Sequence, residues 1–191
     1  MNVKDFIRQF NARYPDVDRC ARNNSREITE LEGRLGVPLP QSFRMFLSEL
    51  SNGMFLLDSE PVGGCSSESP CGEICMTKVI LPDLPEQVAV AGLTEKVEAS
   101  RLVSFTMFDA AALSNDHWVF IYEEGIPNDE YRLGFISQRS KSIVTTLPSF
   151  EEWLTILWQH DDEEGAGVPV FHALYPNVEE RDRLLEQDGG T

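Results

Sequence analysis

Apolar residues in the first 50 positions recur at intervals of three and four, the spacing that places side chains on one face of an α-helix. Three such stripes follow one another, separated by polar or turn-forming segments. Their members are Val3, Phe6, Ile7 and Phe10, then Ile28, Leu31 and Leu35, then Phe43, Phe46, Leu47 and Leu50. The first quarter of the chain is therefore predicted to be helical.

Residues that favour helix ends give the expected boundaries of the first two helices. The first should end near Tyr14–Pro15, because a residue that precedes proline is disfavoured from helical conformation. Asn24, with Glu27 three positions later, has the spacing of a capping box at the start of the second. Gly36 then offers a left-handed stop.

The pattern changes after the third helix, in which Pro40 is expected in the first turn and Asn52–Gly53 at the end. Short runs of β-forming residues follow, and turn-forming residues separate them, which predicts a largely antiparallel sheet. The segment 61–72 has the composition of a loop, whereas 83–99 fits a helix or a packed loop, with helix the favoured interpretation. The runs are 54–57, 74–81, 102–107, 118–122, 131–137 and 142–145.

One more amphipathic helix is predicted after the sheet, with Ser149 as N-cap and Glu152 at the capping-box offset. Its apolar stripe consists of Phe150, Trp153, Leu154, Leu157 and Trp158. We therefore predict one α+β domain over residues 1–160, with N-terminal helices, a central twisted sheet and a closing C-terminal helix. An acidic linker and appendage, partly helical over 178–187, follows over 161–191.

The net charge narrows the classes of partner. The chain of 191 residues has 32 acidic and 16 basic side chains, a formal charge of −16. Such a surface lacks the clustered Lys and Arg that bind nucleic-acid phosphates or anionic lipids, so we expect neither as a direct partner. The excess is uneven: residues 1–50 hold eight basic and seven acidic side chains, and residues 151–191 hold two and eleven. A cationic protein partner remains compatible with this charge.

Targeting and redox features favour a cytoplasmic location. The longest strictly apolar run, Trp118–Tyr122, has five residues, against roughly 18–20 for a membrane-spanning helix. Charged residues interrupt the first eight positions, where a secretory signal would be apolar. The four cysteines are too few for a disulfide-rich secreted scaffold.

The segment from Ile28 to Leu47, closed by Asn52–Gly53, resembles the opening motif of the SUKH superfamily. That superfamily contains the yeast Smi/Knr cell-wall assembly regulators and many bacterial immunity proteins. The residues that carry the resemblance are Glu32, Gly36, Leu39, Pro40, Phe43, Leu47, Asn52 and Gly53, together with Trp153 in the closing helix. The resemblance covers roughly residues 24–158 and departs at 110–117, where many relatives have a Gly-rich turn.

The resemblance implies the same α+β fold for a single SUKH-like domain, no cofactor, and binding rather than catalysis. Many members bind and neutralise a polymorphic toxin domain, often a nuclease or another toxin enzyme. A cationic toxin domain such as a nuclease is thus the implied protein partner. Eukaryotic relatives act as regulatory modules, so a cytoplasmic regulatory scaffold with no toxin partner is the alternative.

Two groups of acidic residues are candidates for contact with a cationic partner. The first surrounds a predicted turn between two strands, and the second follows the closing helix. They are Glu123, Glu124, Asp129 and Glu130, and Asp161, Asp162, Glu163 and Glu164. Solvated loop charge is the alternative interpretation, because most exposed charges contribute little individually.

The motif residues are better explained by structure than by contact with a ligand. Gly36 and Gly53 suit helix stops, and Phe43 and Trp153 suit core positions. Glu32 is different, because a carboxylate among apolar residues should face solvent or accept hydrogen bonds from a loop or a helix N-terminus. A loop-fixing role is expected for it.

The common enzyme signatures are absent from the sequence, and no catalytic residue is predicted. His117, His160 and His172 lack metal-ligand spacing and are expected to be surface or packed residues. Cys65, Cys71 and Cys75 offer only one interval typical of zinc sites. Simple thiols are favoured there, and a zinc site completed by Cys20 or a histidine is the alternative.

Overall fold

The computed structural model describes residues 1–17, 21–57, 60–94, 96–107 and 115–160. The predicted linker and appendage, and the predicted helix within it, lie outside these ranges. Within them, no helix combines the length and the apolar content that crossing a bilayer requires.

Three helices open the fold where the apolar stripes predict them. Asn24 caps the second through the predicted capping box with Glu27, and Gly36 ends it at φ 73°. Pro40 is the N-cap of the third helix rather than a residue of its first turn, because its ψ of 140° is extended. The helices are α1 (Val3–Arg13), α2 (Ser25–Leu35) and α3 (Gln41–Glu49).

The described residues after α3 form nine strands, two further α-helices and two short 3-10 helices, Ala99–Arg101 and Pro127–Asp129. The strands are β1 (Met54–Leu56), β2 (Glu60–Val62), β3 (Cys75–Met76), β4 (Gln87–Ala89), β5 (Lys96–Glu98), β6 (Leu102–Ser104), β7 (His117–Ile121), β8 (Leu133–Ser137) and β9 (Ser142–Leu147), and the helices are α4 (Thr77–Ile80) and α5 (Phe150–His160). Five strands make an antiparallel sheet in the order β3-β6-β7-β8-β9, while β1–β2 and β4–β5 form two-stranded sheets. The predicted α+β class, with N-terminal helices and a closing helix, is confirmed.

Two segments differ from their predicted secondary structure, and the predicted loop 61–72 begins within β2. Residues 83–99 contain the β4–β5 hairpin instead of a helix, because Val88 and Val97 pair across the strands and are buried while their neighbours are exposed. The predicted strand 74–81 is confined to β3. After it the chain turns into α4, whose first residue, Thr77, and C-cap residue, Leu81, are both buried.

The sheet separates two apolar cores. Successive residues of β7 point to opposite faces, so Trp118 lies on the helix side and Val119 on the side of α4 and the β4–β5 hairpin. On the helix side the aromatic ring of Phe43 lies 4.9 Å from that of Phe150. This larger core fixes α3 and α5 on one face of the sheet.

The first helix is tied to the last one. The backbone N–H of Val3 donates to Glu151 Oε1 at 2.9 Å, which gives an unpaired amide of the first turn of α1 a carboxylate acceptor. The ring of Phe6 lies 5.8 Å from that of Trp158. Helix α1 is thus held by contacts that span most of the sequence.

Candidate binding site

Helix α2 and the loop from Gly63 to Glu73 line an open groove of about 450 Å³, which we call the α2 groove. One wall comes from residues 21–34 and the other from Asn52 and the loop. Its volume falls in the range of about 300–1,000 Å³ typical of ligand pockets.

Asn52 fixes the loop wall of the groove. Its Oδ1 accepts a hydrogen bond from the backbone N–H of Cys65 at 2.7 Å. Gly64 lies so close that a Cβ built there would stand 2.2 Å from Asn52 Oδ1 and 2.6 Å from its backbone oxygen. The loop therefore depends on glycine at position 64, where Asn52 occupies the space of a side chain.

Gly53 completes this contact. It has a φ of 76°, and a Cβ there would stand 2.2 Å from Ser69 Oγ and 2.9 Å from the backbone nitrogen of Gly64. The Asn52–Gly53 pair therefore does more than follow α3, because it packs the chain against the loop.

Arg34 links the two walls. Its guanidinium donates to the backbone oxygen of Cys65 at 2.8 Å and to Glu73 Oε1 at 2.6 Å. The loop is consequently held to α2 by side-chain hydrogen bonds to both of its ends.

Carboxylates outnumber guanidiniums around the groove, and the lining charges are Glu27, Glu30, Glu68 and Glu73 against Arg22 and Arg34. Three of the four carboxylates have partners within the protein, in the capping box, with Arg26 and with Arg34. Glu68 is exposed and has no ion-pair partner among the described residues. The groove therefore has one free carboxylate, Glu68, and one arginine, Arg22, that is likewise exposed with no ion pair among the described residues.

Asn23 adds an unsatisfied acceptor. The residue lines the groove and is only 7% exposed. Its backbone N–H donates to the backbone oxygen of Leu47 at 3.0 Å, and its Nδ2 lies 3.4 Å from Glu27 Oε2. Within the part of the chain that the structure describes, Asn23 Oδ1 is buried with no hydrogen-bond partner. Leaving such an acceptor unpaired costs about 1–3 kcal/mol.

The thiols of Cys65 and Cys75 are poor nucleophiles. Burial, reinforced by nearby carboxylates, raises the pKa of the Cys65 thiol to about 12. Burial also raises the pKa of Cys75. Both stay protonated at neutral pH, whereas the thiolate is the reactive form. Among the described residues no group of three or more His, Cys, Asp or Glu is placed to hold a metal ion.

The predicted acidic turn lies elsewhere, and two of its carboxylates have partners within the fold. Glu130 accepts from the backbone N–H and the hydroxyl of Ser42, both at 2.8 Å, and so caps the N-terminus of α3. Glu123 pairs with Arg132 at 2.6 Å.

The other predicted acidic residues divide into two cases. Asp129 Oδ2 lies 3.7 Å from the guanidinium of Arg44, whereas Glu124 is exposed. The second predicted group, Asp161, Asp162, Glu163 and Glu164, lies outside the described residues.

Glu32 makes a contact of the kind expected from the sequence. Its Oε1 accepts from the backbone N–H of Leu39 at 2.7 Å and lies 2.7 Å from Arg44 Nε. The carboxylate thus fixes the connection between α2 and α3. The remaining motif side chains, Leu39, Phe43, Leu47 and Trp153, are buried in the helix-side core.

His117 belongs to a closed polar network. It is 1% exposed, and its Nδ1 donates to the backbone oxygen of Asn115 at 2.6 Å, which leaves Nε2 to accept from Ser104 Oγ at 2.7 Å. Ser104 Oγ in turn lies 3.0 Å from Thr77 Oγ1. Burial lowers the pKa of His117 to about 4. This Ser–His pair is sealed from solvent and so offers no surface nucleophile. His172 lies outside the described residues.

Sequence reasoning missed the α2 groove. Its key groups are Asn23, Arg34 and Glu68, none of which stands out by spacing. The available signal was the Gly63–Gly64 pair, since adjacent glycines in a loop indicate close backbone contact.

The chain was compared with protein-family models, with curated proteins and with solved structures. None of the three comparisons gives a match. The fold and the groove therefore define the protein only as an α+β domain with a preformed acidic surface groove.

Proposed function

We propose that the protein is a non-enzymatic binding module of the immunity type, which binds and neutralises a polymorphic toxin domain. One observation carries this proposal: polar side chains of Asn52 and Arg34 fix the loop of the α2 groove in one shape at the surface. A preformed surface loses little entropy on association, which favours recognition of another protein. The resemblance to SUKH proteins supports the same function.

The charge supports a cationic partner. The whole chain carries −16, and the groove has more carboxylates than guanidiniums. Such a field accelerates encounter with a basic surface and weakens as salt increases. A cytoplasmic location and the absence of nucleic-acid, membrane and cofactor partners belong to this proposal.

Partner capture tests the proposal. The full chain is immobilised and incubated with native lysate, and the bound proteins are identified by mass spectrometry. We expect one toxin-like enzyme, whose activity falls to zero at equimolar amounts of the protein and whose toxicity is suppressed by co-expression. A captured enzyme that stays fully active in the complex would contradict neutralisation.

A regulatory scaffold is the second candidate, favoured by the nine acidic residues within 161–191. In that case the appendage is the docking segment. Deleting residues 161–191 separates the two functions, because loss of the captured partner supports docking through the appendage and retention supports binding by the domain.

A further inference from the structure

The α2 groove has hydrogen-bond acceptors on its walls and a free carboxylate at Glu68. We propose that it binds the side chain of a lysine or arginine of a partner protein. The inference rests on the proposed function, since it names what this groove takes from the partner.

The exposed carboxylate of Glu68 favours a cationic ligand. Three groove carboxylates are already engaged by amides or guanidiniums of the protein itself, and Glu68 is exposed and unpaired among the described residues. A cationic side chain placed beside Glu68 gains an ion pair without breaking an existing one.

The buried amide of Asn23 is the second, independent argument. Its Oδ1 lacks a donor in the described structure, although the residue is 7% exposed and lines the groove. The other side-chain contact of this amide is the long one of 3.4 Å between Nδ2 and Glu27 Oε2. Ammonium and guanidinium groups carry donors and no acceptors, so they match a site that offers acceptors.

The groove walls supply the third argument. Asn52 and Arg34 hold the loop before any ligand arrives, and glycine at position 64 lets its backbone approach. The incoming side chain is then the main group that must be ordered.

The neighbouring groove between α2 and α3, of about 300 Å³, is a weaker candidate. Its carboxylate, Glu32, is already paired with the Leu39 amide and with Arg44. A cation entering there would have to displace Arg44.

A titration followed by NMR tests the inference on the full chain. The probe is N-acetyl-arginine-N-methylamide, with the lysine analogue as a second probe and the uncharged norleucine analogue as control. We expect saturable shifts of the Asn23 side-chain amide and of the backbone amides of Ser66–Glu68 with both cationic probes. Shifts of equal size with norleucine, or no shifts at these positions, would overturn the inference.

Matched variants sharpen the titration. Glu68→Gln removes the free groove carboxylate and should weaken probe binding about two- to fivefold. Glu152→Gln removes an exposed carboxylate in the first turn of α5, outside the groove lining, and should leave binding unchanged. Equal weakening by both would mean attraction by net charge alone and would reject the groove.

Asn23→Leu separates ligand binding from a structural role. It keeps the backbone bond to Leu47 and removes the unpaired oxygen, so the melting temperature should not fall, while probe affinity should drop about fivefold. A variant that is stable and binds as well as the wild type would contradict the assignment of Asn23, and if this variant does not fold, Glu68→Gln remains the test.

The two proposals fail separately. If no partner is captured but the probe binds in the groove, the proposed function fails and the cation site stands. If a partner binds the Glu68→Gln and Asn23→Leu variants as tightly as the wild type, the groove is not its contact and the proposed function stands.

Discussion

The α2 groove and the acidic turn at residues 123–130 each have three carboxylates engaged by the protein and one exposed, and they differ in the polar groups beside the exposed one. In the turn, Glu130 caps α3 and Glu123 pairs with an arginine, whereas Glu124 is exposed. In the groove, Glu68 is free among the described residues and Asn23 has an acceptor to spare. The density of acidic residues in a sequence therefore does not identify the surface that a cationic partner meets, because donors within the protein already engage some of the carboxylates.

Substitution of Gly64 should destabilise the protein most, because the loop of the groove depends on its close contact with Asn52. In Gly64→Ala the new Cβ would overlap Asn52, so the loop must shift and we expect a loss of about 3 kcal/mol or more in unfolding free energy. Gly33→Ala is the matched control, because nothing lies within 4 Å of a Cβ there and alanine favours its helix. Chemical denaturation measures both, and equal stabilities would show that the loop is not held by close contact.

Acid should destabilise the protein through His117, which sets a lower pH limit for comparing the groove with the acidic turn. The pKa of His117 falls from 6.5 to about 4 on folding, so its neutral form is favoured in the native state. The resulting contribution to the free energy of unfolding is complete above pH 6.5. It decreases as the pH falls toward 4, by about 3 kcal/mol in total. Denaturation across this range measures the loss.

NMR of the His117 imidazole distinguishes the stability lost through this histidine from the stability lost when carboxylates are protonated. We expect the His117 ring to stay neutral at pH 5. Titration of that ring near pH 6.5 would refute the explanation by burial.

A smaller effect distinguishes the two kinds of carboxylate within the turn. Glu130→Gln weakens the cap of α3 and should lower stability by about 1 kcal/mol. Glu124→Gln changes an exposed charge and should stay within about 0.5 kcal/mol of the wild type. Thermal or chemical unfolding of the two variants measures the difference. Equal losses of stability would show that Glu130 does not cap α3.

The smallest effect concerns the ion pair of the turn. Glu123 and Arg132 are both partly exposed, so Glu123→Gln should cost about 0.2–1 kcal/mol, and less at high salt. Unfolding curves at low and high salt measure it. A larger, salt-independent loss would show that this pair is more than surface charge.

Much of the fold was predictable because its signals are local. The Asn24–Glu27 capping box, the Gly36 stop and the stripe of α5 each depend on residues within a few positions. The β4–β5 hairpin was missed because Leu84, Val88 and Ala91 also fit a helical spacing, and only the pairing of Val88 with Val97 distinguishes the two.

The binding site was less predictable because its contacts are distant in sequence. Glu130 meets Ser42 across 88 positions, and Arg34 meets Glu73 across 39. Charge counts favoured the turn, but they contain no information about which carboxylates find donors in the folded chain.

The bond between Val3 and Glu151 has a consequence for synthesis on the ribosome. The two residues are 148 positions apart, which at about 5–20 residues per second is a delay of about 7–30 s. During that interval α1 can pack only against elements already made, such as α3, and the part of its apolar face that meets Trp158 is exposed. Completion of the helix layer thus waits for α5, and this part of α1 stays without its native cover until the last helix emerges.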